Sequence, residues 1–237
     1  MTVLRTIIIA LSFLLLTGWA QASETDSSYA AARNKMVKTQ IIARGVSDSC
    51  LLKAMDDVER HLFVDPARRS EAYDDHPLPI GENQTISQPY IVALMTELLE
   101  IKPSHRILEI GTGSGYQAAI LGELAAEVYT IEIIEKLGRK AEKLLQKLGY
   151  ENIDVKIGDG YIGWPEKAPF DGIIVTAAPA EIPGPLLDQL AEGGRLVIPV
   201  GEYYQELILV EKRKGETLKK RIIPVRFVPM TGKAQEK

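Results

Sequence analysis

The sequence predicts an α/β fold: a doubly wound, mostly parallel sheet with a C-terminal antiparallel hairpin and an N-terminal helical lobe. Three observations carry this. From residue 91 onward, short apolar runs alternate with stretches of helical period, the pattern of parallel strands joined by crossover helices. The last two apolar runs are separated only by a short turn around Gly215, which reads as an antiparallel pair closing the sheet edge. Residues 29–58 carry helical period alone.

The first 22 residues stand apart from the fold. Arg5 is basic, residues 7–16 are apolar apart from Ser12, and Ala20-Gln21-Ala22 has the small-x-small form of a signal-peptidase site. A signal peptide cleaved after Ala22 is therefore expected, with a periplasmic or secreted location; the alternatives are a retained anchor and a cytoplasmic chain. Cys50 is the single cysteine, so no intramolecular disulfide can form. Residues 23–237 are expected to form one domain.

In order along that domain, two helices are expected in residues 29–58. Gly45 ends the first, and in the second Leu51, Ala54, Met55 and Val58 share one face behind a Ser47 or Asp48 cap. Residues 66–88 contain Pro77, Pro79 and Gly81, have no clear period and read as a long loop. Such a connection inside a compact domain is usually functional. Ile91, Leu94, Met95, Leu98 and Leu99 then recur at helical spacing, and Pro103 closes that helix. Strand 106–110, helix 114–124, strand 128–131, helix 135–148, strands 153–157 and 171–176, helix 183–190 and strand 195–200 follow. The hairpin is expected at 206–212 and 218–227.

A net charge of −4 over 237 residues makes the chain a poor electrostatic partner for nucleic acid. The basic clusters Lys212 to Lys214 and Lys219 to Arg221 read as solvated ends of the hairpin. His61 and His105 are isolated, and no metal cluster is visible.

The most informative stretch is "RILEIGTGSGY", residues 106–116. A buried strand runs into Gly111, Gly113 and Gly115, so the backbone can turn tightly and come close to a ligand. The spacing is G-x-G-x-G, and Tyr116 stands where a dinucleotide fingerprint would place its third glycine. A shorter loop with no pyrophosphate to cradle suits S-adenosylmethionine. A bare glycine turn remains the alternative. Glu132 ends the next strand, where a carboxylate accepts hydrogen bonds from ribose hydroxyls. Asp159, in "GDG" after the third strand, reads either as an adenine contact or as a turn residue. All three features fall at the C-terminal strand ends, the edge at which open α/β sheets bind ligands.

"QTISQPYIV", residues 84–92, leads with Thr85 and Ser87 into a helix that opens on a proline. Ser87 reads as a helix cap or as a site residue.

The sequence resembles the protein-L-isoaspartate O-methyltransferase family. The resemblance rests on "LPIGENQTISQPY", "ILEIGTGSGYQAA", "GDG", "FDGIIVTAAP", "EGGRLVIPVG" and "VRFVPM", and spans nearly all of residues 35–231. The glycine loop is common to many methyltransferases, whereas "QTISQPY" and the "RFVP" ending are specific to this family. Glu59, in "VERHLFV", stands where the family commonly has proline.

The resemblance implies a class I methyltransferase fold, S-adenosyl-L-methionine as donor, and isoaspartyl-containing proteins and peptides as acceptors. The methyl ester formed would close to a succinimide, which hydrolyses partly to normal aspartate. Residues 29–88 would supply the helical lobe and substrate loop, and residues 89–237 the cofactor-binding sheet. Ser87 would be the catalytic residue. Thr85, Ile86 and Ser87 would line the junction of donor and acceptor, while Gly111, Gly113, Gly115 and Tyr116 would hold the methionine end of the donor, with Glu109 and Ser114 also in the cofactor-binding set. Glu132 would take its ribose, and Asp159 with Gly160 its adenine. No metal, nucleic-acid partner or membrane contact of the mature chain is expected, and the chain is expected to be a monomer. A class I methyltransferase acting on a small molecule or RNA is the rival reading. His76 and Asp74, in the loop, are open as substrate contacts.

Overall fold

A computed structural model describes residues 27–236, so the expected signal peptide lies outside the described residues. Among those described, no helix is long and apolar enough to cross a membrane.

Helix α1 covers residues 27–36, widens to a π-helical turn over Val37–Ile41 and tightens to a 3-10 turn over Ile42–Arg44 before Gly45, at φ 95°, ends it. Helix α2 is Ser49–Asp57, capped by the Asp48 carboxylate, which accepts from Leu51 N at 2.7 Å. Asp48 rather than Ser47 is thus the cap. Leu51, Ala54 and Met55 form the buried face of α2, as its period requires.

Residues 66–88 are more ordered than a loop. Pro66–Glu71 forms a 3-10 turn, and Leu78–Gly81 (β1) pairs with Gln84–Ile86 (β2) in a small antiparallel hairpin. Glu82 and Asn83, at φ 51° and 56°, both take the left-handed conformation that lets a two-residue turn follow the twist of a hairpin. Strands of 4 and 3 residues are too short to show alternation, and Pro79 and Gly81 read as breakers. The hairpin was therefore hidden from periodicity.

The remaining elements are α3 (Pro89–Leu98), β3 (Arg106–Ile110), α4 (Tyr116–Gly122), β4 (Glu127–Glu132), α5 (Glu135–Lys147), β5 (Ile153–Ile157), β6 (Phe170–Val175), α6 (Gly184–Asp188), β7 (Leu190–Val200), β8 (Gln205–Arg213) and β9 (Glu216–Val225). The sheet order is β5-β4-β3-β6-β7-β8-β9. Strands β5 through β7 are parallel, and β8 and β9 add antiparallel. From β3 the chain winds outward to β4 and β5, then returns to place β6 on the other side of β3. This reversal opens a crevice at the strands' C-terminal ends.

Helix α4 starts later than expected because Gly113 and Gly115 hold left-handed backbone, at φ 52° and 86°, so the glycine turn extends through Gly115. Between β5 and β6 the chain forms only the short turns Gly160–Ile162 and Pro165–Lys167. Beyond β9, residues 226–231 turn back across the sheet edge, where Pro229 bridges to Ala178 just past β6.

The sheet is apolar on both faces. Leu108, Ile173, Leu196 and Val210 pack on one side, and Ile107, Ile174, Val197 and Leu209 on the other. Burial of both faces explains why the central strands read as continuous apolar runs. The N-terminal lobe shares its core with the sheet domain: Met36, Met55 and Phe63 pack in one cluster with Tyr116 and Ile120 of α4. Each such buried aliphatic or Phe side chain contributes about 1.5–3 kcal/mol, so the lobe is held on the sheet by a shared apolar core.

Candidate functional site

The glycine loop is fixed by what surrounds it. Gly111 N donates to Ile131 O at 2.8 Å, tying the loop to the end of β4. Gly111 sits at φ 96°, and a Cβ there would stand 2.3 Å from Thr176 Oγ1. That hydroxyl donates to Gly111 O at 2.8 Å. Any side chain at 111 would therefore break the junction between β3 and β6.

Glu132 is buried at the end of β4, 6% exposed. Gly113 N donates to its Oε2 at 2.8 Å and Ile134 N donates to its Oε1 at 2.9 Å. The two backbone donors fix the carboxylate plane and leave each oxygen with acceptor capacity for a ligand hydroxyl. A narrow cleft of about 70 Å³ runs past it, lined by Gly111, Gly113, Glu132, Ile133, Gly160 and Thr231 among others.

A second cavity of about 500 Å³ lies beside the cleft, lined by Pro77, Ser87, Gln88, Ile91 and Phe227 among others. Thr85 and Thr176 line both. With Val228, which also lines both, they mark where the two chambers meet, at the switch point of the sheet.

Ser87 faces the larger cavity and does not cap α3. The N-cap position is Gln88, with no side-chain cap hydrogen bond, and the Ser87 hydroxyl has no hydrogen-bond partner among the described residues. Its backbone is held from behind. Arg60 Nη2 donates to Ser87 O at 2.7 Å, and Arg60 Nε donates to Ala72 O at 2.7 Å. Arg60 is fully buried, lies 4.8 Å above the Tyr116 ring and leaves Nη1 without a partner. Burial brings its pKa down to about 10, with the Tyr116 and Tyr73 hydroxyls opposing; it remains charged at neutral pH. Gln88 Nε2 donates to Asp75 O at 3.0 Å and to Asp75 Oδ1 at 2.8 Å, and Asp75 pairs with Arg44.

Several residues expected in the donor site do other work. Glu109 is fully buried on the opposite sheet face from Ile110, because successive strand residues alternate. Its Oε2 accepts from Thr130 Oγ1 at 2.6 Å, Thr130 meets Thr112 Oγ1 at 2.6 Å, and its Oε1 has no partner. Burial pushes its pKa up to about 8, against the pull of the Thr130 bond. Ile86 and Tyr116 are core residues, and burial raises the Tyr116 hydroxyl to about 12. A Cβ on Gly115 would touch Ala141 at 3.3 Å, so this glycine serves the packing of α4 on α5. Ser114 lines a separate cavity under the β1–β2 hairpin. The Asp159 carboxylate holds backbone and is absent from the cleft lining: Oδ1 accepts from Tyr161 N at 2.9 Å and Oδ2 from Lys233 N at 2.8 Å. Asp159 anchors the C-terminal turn, leaving Gly160 as the cleft wall. His76 and Asp74 are absent from the linings of both chambers.

The family model described as protein-L-isoaspartate(D-aspartate) O-methyltransferase matches residues 31–235. The chain belongs to this family. It is 56% identical over 207 residues to protein-L-isoaspartate O-methyltransferase 1 of Syntrophobacter fumaroxidans, covering 87% of this chain and 97% of that one. It is 57% identical over 211 residues to protein-L-isoaspartate O-methyltransferase 2 of Shewanella sediminis, covering 88% and 86%. A solved protein-L-isoaspartate O-methyltransferase superposes with a TM-score of 0.77 at 31% identity, over 84% of this chain and 66% of that one. A Plasmodium falciparum structure titled a putative protein-L-isoaspartate O-methyltransferase in complex with S-adenosyl-L-homocysteine gives a TM-score of 0.74 at 27% identity, over 84% and 98%.

In this isoaspartate methyltransferase chain the sequence reading missed part of the cleft. Thr176, Ala177 and Ile133 lie just past strands β6 and β4, and the strand-end rule that found Glu132 points to them as well. Residues 228–231 are brought to the cleft by the bridge to Ala178 and by the Asp159 contact with Lys233 N. No local signal marks such a long-range return.

Proposed function

We propose that the chain transfers a methyl group from S-adenosylmethionine to the α-carboxyl of L-isoaspartyl residues in damaged proteins, with the donor in the narrow cleft and the acceptor in the larger cavity. The observation that carries this assignment is the meeting of the two chambers at Thr85, Thr176 and Val228, with the free Ser87 hydroxyl on the acceptor side.

The cleft suits the donor in its chemistry. Glu132 offers a fixed carboxylate to ribose hydroxyls, and Ile133 (40% exposed) with Ile110 offers an apolar wall to a base. A Cβ on Gly160 would meet Ile110 Cγ2 at 2.2 Å, so that wall is closely packed. The cleft's 70 Å³ is far below the roughly 300–1,000 Å³ of sites for drug-sized ligands. Binding must therefore part its walls. The β1–β2 hairpin, strapped to α5 by Lys136 Nζ to Glu82 Oε1 at 2.6 Å, and residues 228–231 are the walls outside the sheet.

When bound, the donor supplies a methyl group on a positively charged sulfur. The acceptor carboxyl has a reference pKa of about 4 and is already ionised at neutral pH, so the chain needs no general base. Its work is positioning. Ser87 donates a hydrogen bond to one carboxylate oxygen and leaves the other in line with the methyl group. The Arg60 and Gln88 bonds hold Ser87 in place, and the closed walls exclude water from a step in which opposite charges cancel.

The leader-like residues 1–22 support an exported, periplasmic or secreted form, whose mature chain would begin at Ser23. The activity is tested by release of S-adenosylhomocysteine when the enzyme meets an isoaspartyl polypeptide. Release at the same rate from donor alone would reject it.

A further inference from the structure

Resting on that reading, a further cavity bears on how the damaged polypeptide is held. It has a volume of about 660 Å³ and shares Val225, Arg226 and Phe227 with the acceptor cavity, so a single thin wall separates the two. Tyr203 lines this cavity, and Tyr203 and the adjacent Tyr204 are each 94% exposed. Two neighbouring aromatic rings left in water lose the apolar contact that such rings usually make in a core or an interface.

The turn that presents them is built to a fixed shape. Gly201 sits at φ 126°, where a Cβ would stand 2.0 Å from Tyr204 O. Gly201 N donates to Pro179 O at 2.9 Å. On the far side, Gln205 grips the shared wall: its Nε2 donates to Phe227 O at 3.1 Å, and its Oε1 accepts from Phe227 N at 2.6 Å. The backbone on both sides of the tyrosine pair is therefore tied to the wall of the acceptor cavity, while the rings themselves are almost fully exposed.

We propose that this outer cavity, with Tyr203 and Tyr204 as an aromatic platform, holds the polypeptide flanking the isoaspartyl residue. An acceptor whose carboxyl sits at Ser87 must leave along its own backbone, and an extended chain covers about 3.3 Å per residue. The nearest open volume across the Val225–Phe227 wall is this cavity. Tyrosine faces contact peptide planes and varied side chains at small entropic cost, which suits an enzyme whose damaged sites occur in unrelated sequences.

The test compares a long isoaspartyl peptide, flanked on both sides, with a minimal capped isoaspartyl substrate. In the Tyr203→Ala, Tyr204→Ala double variant, KM for the long peptide should rise by about tenfold, the usual scale for losing aromatic anchors at an interface. kcat should hold, and the minimal substrate should be unaffected. The Tyr203→Phe, Tyr204→Phe variant keeps the rings and should match wild type. Equal loss on both substrates, no loss on either, or a wild-type enzyme that gains nothing from flanks would each overturn the platform. A wild-type enzyme that methylates no isoaspartyl peptide would instead sink the functional reading beneath it.

Discussion

Arg60 Nη2 donates to the carbonyl oxygen of Ser87 at 2.7 Å, while Nε of the same guanidinium donates to Ala72 O at 2.7 Å. One buried fork thus clamps residues 72 and 87 of the segment that carries the acceptor loop. Arg60→Lys cannot span both carbonyls, because an ammonium on a flexible stem lacks the planar fork. It should cost about 2–3 kcal/mol of stability by leaving a buried carbonyl unpaired. The methylation rate should fall by roughly tenfold through a misplaced Ser87. Donor affinity, measured by calorimetry, should stay near wild type, since Arg60 lies outside the cleft lining. A loss of stability with no loss of rate would reduce Arg60 to a structural role.

Ser87→Ala separates the two readings of "QTISQPY". A cap would cost about 1 kcal/mol when removed; a partly exposed hydroxyl with no partner should cost under about 0.5 kcal/mol. The rate should nevertheless fall by about tenfold or more with donor binding retained. Ser87→Asp should be slower still, because a second carboxylate repels that of the acceptor. An Asp variant as fast as wild type would remove Ser87 from the mechanism.

Glu132→Gln retains the size of the side chain but turns one end into a donor. That end would face Gly113 N or Ile134 N, both of which now donate to the carboxylate. Loss of charge-assisted bonds to ribose adds to this local clash, and charge-assisted bonds are about twice as strong as neutral ones. Donor affinity should drop by at least about tenfold, and calorimetry giving an unchanged Kd would remove Glu132 from the donor site.

Glu109 supplies a pH signature. Burial raises its pKa from 4.5 in the unfolded chain to about 8 in the fold. Between those values the folded state binds the extra proton, so its contribution is intact below 4.5 and declines as pH rises toward 8. Relative to Glu109→Gln, which cannot titrate, the wild type should lose stability from pH 5 to pH 8, by an amount on the order of a few kcal/mol. Parallel denaturation curves of the two proteins across that range would place the proton elsewhere.

The strands were legible in the sequence because both faces are buried, which leaves apolar runs such as residues 172–175 intact. The donor cleft was legible in part. Gly111, Gly113, Glu132 and Gly160 lie where strand ends and backbone freedom put them. Glu109, Gly115 and Tyr116 share the same motif but point into the sheet, the α4–α5 contact and the N-terminal core. A linear motif does not say which of its members face the ligand. Asp159 was open between a ligand contact and a turn residue, and its contact with the returning chain at Lys233 could not be read from the local sequence. The β1–β2 hairpin was invisible because its strands are too short for alternation and its turn uses Glu82 and Asn83 in place of glycine.

The most direct measurement is methyl transfer from labelled S-adenosylmethionine to an isoaspartyl peptide beside its aspartyl twin, identical in sequence. The two differ only in where the free carboxyl hangs on the backbone, so discrimination reports the geometry of the Ser87 cavity rather than charge or composition. The account predicts a labelled methyl ester on the isoaspartyl peptide, lost as methanol when the succinimide closes, and no ester on the twin. Equal labelling of both peptides, or labelling of neither, would contradict it.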